Sequence, residues 1–124
     1  MGGIERFGLP KQGGVPASKA DGWLFVAGQV PKNAEGEFVV GGIAEQARQT
    51  LDNLMKTLRQ AGYGPEDVVK VNVWLDDPRD FAIFNRIYSQ YFSIEHAPAR
   101  VTVQGHMMND FKVEMDCVAW KEPR

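Results

Sequence analysis

Apolar and polar residues alternate along two stretches near the C-terminus, Ala97–Gln104 and Phe111–Trp120. A period of two marks half-buried strands. In the second stretch Phe111, Val113, Met115 and Cys117 share one face, and Lys112, Glu114 and Asp116 share the other. Pro98 fixes its own φ and biases Ala97 towards extended geometry, which gives the first stretch a defined start with Arg100 at its mouth. Trp23–Ala27 is a continuous apolar run closed by Gly28 and Pro31, a pattern that fits a strand buried on both faces. A polar connection over Lys32–Glu37 then predicts a hairpin, with Phe38–Val40 as the returning strand. Ala47, Leu51, Leu54, Met55 and Leu58 recur at spacings of three and four, which predicts a helix over 43–61 ended by Gly62 and Gly64. Val69, Val71, Val73 and Leu75 predict one face of a strand over 68–75. Asp77-Pro78 opens a second helix that runs to about Phe92, with Phe81, Phe84, Tyr88 and Tyr91 on one face.

The predicted order is ββαβαββ, an α/β (α+β) arrangement of one mixed sheet with two helices packed on one face. Residues 1–16 hold five glycines and two prolines and read as a loop or short edge strand. The 124 residues suit one domain over 1–124, with 1–14 as its N-terminal loop or edge. Two helices leave the other sheet face open, and this reading puts Arg100, Thr102, Gln104, Glu114 and Asp116 on it beside Val118 and Trp120. A symmetric oligomer that covers this face, with a site at the subunit boundary, is the economical expectation.

Composition narrows the partners. Formal net charge is −2, and no run of Lys or Arg marks a nucleic-acid or anionic membrane surface. No apolar run approaches the roughly 18 residues of a membrane span, and no targeting segment is evident. The expected location is the cytoplasm. Cys117 is the single cysteine and falls on a core face, where a thiol behaves as a small hydrophobe.

Chemistry-bearing motifs are few. Arg100 offers a planar pair of donors that matches a carboxylate, against the plainer role of a salt bridge. Glu114 suits a general base or a water-orienting group, against a structural partnership with Lys112 or Arg100. His106 and His96 are single loop histidines without a second ligand at metal spacing.

Three motifs then resemble those of the RidA (YjgF/YER057c/UK114) family: Ala27-Gly28-Gln29-Val30-Pro31, Gln46–Leu54 and Pro98-Ala99-Arg100, with Lys112–Asp116 matching the family's last strand. The similarity runs from about Val15 to Trp120. It implies a chorismate-mutase-like fold and a homotrimer with sites in clefts between subunits. It further implies hydrolysis of 2-imino or enamino acids to 2-keto acids and ammonia, without metal or organic cofactor, as in 2-iminobutanoate/2-iminopropanoate deaminases. By the same resemblance Arg100 holds the substrate carboxylate, Glu114 places the water, and Asn85 and Gly28 belong to the site. Matching Glu114 assumes a one-residue gap in the loop that holds His106. The chain departs from the family in having Ala17-Ser18 for Tyr-Ser, Ala27 for a serine and Thr102 for a cysteine of some members, with His106 and Met107 in an altered loop. These departures imply an enlarged pocket and either a changed substrate or weaker catalysis, with the carboxylate anchor kept. A non-catalytic trimer that binds small carboxylates is the alternative, and an RNA-cleaving activity ranks below both.

Overall fold

The structure is a computed structural model that describes residues 3–123. Its strands are β1 (Ile4–Phe7), β2 (Ala17–Ala20), β3 (Trp23–Gln29), β4 (Val68–Leu75), β5 (Ala99–Gln104) and β6 (Val113–Trp120). Its helices are α1 (Ile43–Gln60) and α2 (Phe81–Tyr88). All six strands form one sheet in the order β1-β2-β3-β6-β4-β5. Only β4 and β5 run parallel, and α2 lies on the crossover that such a pair requires.

Both helices cover one face, as the patterning predicts. Ala47, Leu51, Leu54 and Leu58 of α1 are fully buried against Leu24 and Val26 of β3, Val71 and Val73 of β4 and Val113, Met115 and Cys117 of β6. The Glu45 carboxylate accepts from the Gly42 N–H at 2.9 Å and satisfies a donor at the start of α1. Asp77 accepts from the Arg79 N–H at 2.9 Å ahead of α2, and its side-chain bond to Arg79 holds its pKa at about 2. Truncating the centre of this core carries a large penalty: Leu51→Ala is expected to destabilise the fold by about 2–5 kcal/mol, read from the urea midpoint.

Several expectations are corrected. Ala17–Ala20, to which the patterning assigns no element, is a strand, because a turn at Asp21-Gly22 pairs it with β3 and β1 adds to its far edge. The run Trp23–Ala27 is not buried on both faces: Leu24 and Val26 point into the core, whereas Trp23 and Phe25 are exposed. Phe38–Val40 is no strand. A single bridge joins Phe38 to Lys32, and the Phe38 ring stacks on Phe111 at 4.9 Å. Val69 leaves the core face because a bulge between Val68 and Lys70 shifts the register against β6. The second helix stops at Tyr88, and the chain turns back so that Phe92 enters the core separately.

The most consequential correction concerns β5. Its residues Arg100, Thr102 and Gln104 stand opposite Val71, Val73 and Leu75 of β4, and those three are core residues. Arg100 and Thr102 therefore lie on the helix-covered face, at the sheet edge. Glu114 and Asp116 stand opposite Trp74 and Asn72 and lie on the open face. The predicted common face for Arg100 and Glu114 does not exist within one chain.

Candidate functional site split between two faces of one sheet

The first half of the site is built around Arg100. One guanidinium nitrogen donates to Asn85 Oδ1 at 2.6 Å. The guanidinium carbon lies 4.6 Å from the centre of the Tyr88 ring, 5.5 Å from Phe84 and 5.8 Å from Phe81. Residues 81, 84, 85 and 88 follow the three-and-four spacing of one helix face, so α2 presents an aromatic floor with one amide set into it. Stacking on aromatic faces suits a planar cation and fixes its plane. Among the described residues no carboxylate pairs with Arg100. A salt bridge, the plainer sequence reading, is absent there.

Two hydroxyls on this side of the sheet make no hydrogen bond of good geometry. Tyr88 Oη, which lies against the Arg100 guanidinium, and Thr102 Oγ1 are both buried from solvent. Burial pushes the Tyr88 phenol up to about 12, with Arg100 opposing that shift, so the group stays a protonated donor at neutral pH. Thr102, Phe81 and Pro78 line a cleft of about 190 Å³ with residues 103 and 104 of β5. Buried hydroxyls without a good hydrogen bond, and a cation without a carboxylate, are the features a polar ligand would satisfy.

The second half is built around Glu114 in the centre of the sheet. The β3–β6 register shifts between Val26 and Gln29, and Gly28 sits in that irregularity. A Cβ at Gly28 would collide with the Glu114 carboxylate, so glycine is what lets β3 approach this side chain. Burial first, then the negative charge of Asp116, raises the Glu114 pKa above its usual carboxylate value. Asp116 is itself tied to Asn72 at 2.8 Å. Gly28→Ala is expected to leave the fold intact, because the obstructed atoms are the far end of a flexible side chain. It displaces the carboxylate and lowers any Glu114-dependent turnover at least about tenfold. Thermal unfolding and steady-state kinetics on one preparation check both halves of that expectation.

The remaining sequence candidates scatter. Ala17 is 1% exposed and packs in the core, where β2 turns its side chain inward beside Val26. His106 is solvent-exposed and bonds to Asp76 at 2.8 Å in the loop beyond β5. Ala27 is exposed beside Gly28. Among the described residues no group of three His, Cys, Asp or Glu is placed to hold a metal. The Gln46–Leu54 motif is structural: Asn53 donates to the Val30 and Lys32 carbonyls, and Gln46 joins Val39 to Lys112. Sequence reading missed Tyr88 and Phe81 as neighbours of the cation. The signal was Asn85 set among aromatics at helical spacing.

Comparison with known proteins places this arrangement. The endoribonuclease L-PSP family model matches residues 10–121. A RutC family protein of Pyrococcus horikoshii is 44% identical over 108 residues, covering 86% of this chain and 85% of the relative. The crystal structure of yeast Mmf1 superposes with a TM-score of 0.90 at 28% identity, covering 97% of this chain and 100% of that one. The Escherichia coli YjgF gene product superposes with a TM-score of 0.80 at 34% identity, covering 87% of each chain. No helix among the described residues is long and apolar enough to cross a membrane. With the family model over residues 10–121, the sequence identity and the superpositions over most of the chain in agreement, the chain belongs to the endoribonuclease L-PSP family, known also as the RidA/YjgF/UK114 family.

Proposed function

We propose that this chain is the subunit of a homotrimeric hydrolase that converts small 2-imino or enamino acids to 2-keto acids and ammonia. The observation that carries this reading is Arg100: a half-buried cation, stacked and hydrogen-bonded in place, with no carboxylate among the described residues of its own chain to pair with it. A substrate carboxylate completes that arrangement with two parallel charge-assisted bonds.

The oligomer follows from the divided geometry. Trp23, Phe25, Trp120, Val101 and Val103 are exposed on the sheet face opposite the helices. Apolar area of that extent is covered when copies pack their sheets together. Packing open faces also sets the edge strand of one subunit against the centre of the next sheet. Arg100 of one subunit then meets Glu114 and Gly28 of its neighbour.

The chemistry demanded of such a site is modest. The carbon of a protonated imine is already electrophilic. Arg100 holds the substrate by its carboxylate, and Tyr88 and Thr102 supply further hydrogen bonds. Glu114 takes a proton from the attacking water as the C–O bond forms. Glu114 returns that proton to the carbinolamine nitrogen, the C–N bond breaks to release ammonia, and the hydroxyl gives its proton to the freed Glu114 carboxylate as C=O forms; the proton leaves with ammonia as ammonium. Water is consumed and nothing is oxidised or reduced. A carboxylate with a raised pKa is a stronger base than a solvated one, which suits this shuttle.

A second reading, a carboxylate-binding trimer without turnover, draws on Ala27, which lacks the hydroxyl of the serine common in the family. RNA cleavage has less support: net charge is −2, and no basic stripe tracks a phosphate backbone. The test generates imino acids in situ with an amino-acid oxidase and traps the unhydrolysed imine with semicarbazide. Wild type is expected to accelerate loss of the imine and Arg100→Ala to abolish the effect. No acceleration with any precursor would favour the binding protein.

A further inference from the structure

A cavity of about 600 Å³ opens beside Gly28, between the end of β3, the flank of α1 and the segment from Leu9 to Pro16. Its charged lining residues are Lys11 and Lys56, and none of the described residues that line it carries a carboxylate. In a chain with more acidic than basic residues, a cavity whose charged side chains are both cations favours an anion.

Not all of that lining is available to a ligand. Asn53 is committed to the Val30 and Lys32 carbonyls and to Gln49, and the Gln29 amide donates to the Ala27 carbonyl. Lys11, Gln12, Lys56, Thr57 and Gln60 are left, and all can donate. Neither lysine is paired with a carboxylate among the described residues. The rim that carries Lys11 and Gln12 is held in one geometry: Lys11 and Gly14 exchange backbone bonds of 2.7 and 3.0 Å across a two-residue turn. Gln12 and Gly13 both sit at positive φ, 50° and 84°. Such turns prefer Asn or Gly at the first central position, so Gln12 sits there against its local preference.

We propose that this cavity receives a second, distal anionic group of the substrate, so that the preferred ligands are dicarboxylic 2-imino and 2-keto acids. The inference rests on the reading of the Arg100 and Glu114 site given above. One carboxylate lies on Arg100, the reacting carbon lies near Glu114 and Gly28, and the side-chain carboxylate reaches Lys11 and Lys56. Ala27 lines the same cavity, and its small side chain keeps the passage from Gly28 open.

Calorimetry with 2-oxoglutarate and 2-oxobutanoate, two product-like acids that differ in the distal carboxylate, tests the cavity directly. Wild type is expected to bind 2-oxoglutarate about tenfold more tightly than 2-oxobutanoate. Lys56→Met and Lys11→Met are each expected to remove most of that preference while leaving 2-oxobutanoate binding unchanged. Both lysines are exposed, so the variants are expected to fold. Equal affinities in wild type, or a preference that survives both substitutions, would overturn the proposal. The imine assay, run with glutamate and 2-aminobutyrate as precursors, separates this failure from failure of the hydrolase reading. Hydrolysis of the monocarboxylic imine with no advantage for the dicarboxylic one overturns the cavity assignment alone. Lysine-dependent dicarboxylate binding without hydrolysis of either overturns the hydrolase alone.

Discussion

Glu114→Gln is expected to lower imine hydrolysis by about 10²–10⁴-fold, the range that removal of a general base produces, while binding of a 2-keto acid stays near wild type. Gln keeps the shape and one acceptor oxygen but cannot take the water's proton. The loss is not expected to come through stability. Burial raises the folded-state pKa of Glu114, so its contribution to stability is fully present below the unfolded pKa and lost as pH rises through the folded one. At neutral pH the ionised side chain is therefore a net cost to folding, and a neutral amide relieves it. The same shift sets the pH profile: kcat/KM is expected to fall as pH drops through an apparent pKa above 4.5, the carboxyl's ordinary value, and Glu114→Gln abolishes that acid limb. Titration of rate and binding on the same variant checks both statements.

Arg100→Ala is expected to weaken both turnover and binding, by about a hundredfold in kcat/KM, since charge-assisted bonds to a buried carboxylate are each worth about 1.5–3 kcal/mol. This contrasts with Glu114→Gln, where binding persists. Arg100→Lys is expected to recover only part of the loss. An ammonium keeps the charge but has neither the planar fork that matches a carboxylate nor the flat face that lies on Tyr88. Competitive binding of a 2-keto acid to the three proteins, measured beside kcat and KM, gives the ranking wild type, then lysine, then alanine.

Much of the fold was legible in the chain. The α1 stripe, the β6 alternation and the Asp77-Pro78 helix start all express a period or a cap that local chemistry enforces. The N-terminal hairpin was not legible, since β2 is four residues, Ala17–Ala20, with no apolar alternation, and it exists because β1 and β3 flank it. The face of Arg100 was also hidden. Strand periodicity shows that residues 100, 102 and 104 share a side but not which side. That is fixed by the parallel register with β4, which only the crossover through α2 defines. Arg100 and Glu114 stood out by residue type and place in their strands, whereas their assigned roles, and Gly28 and Asn85 as site residues, came from the resemblance. The cation's aromatic floor and the collision that requires Gly28 became visible only in three dimensions.

The central claim is that Arg100 and Glu114 act on one substrate from different subunits. Mixed oligomers test it most directly: Arg100→Ala and Glu114→Gln proteins are denatured together, refolded and assayed for imine hydrolysis. In a trimer with cyclic symmetry, every 2:1 assembly of the two variants contains one site with both native residues. Random mixing is therefore expected to restore about a quarter of the wild-type activity from two nearly inactive parents. Activity that stays at the level of the parents, while wild type refolded in the same way is active, would contradict the shared site.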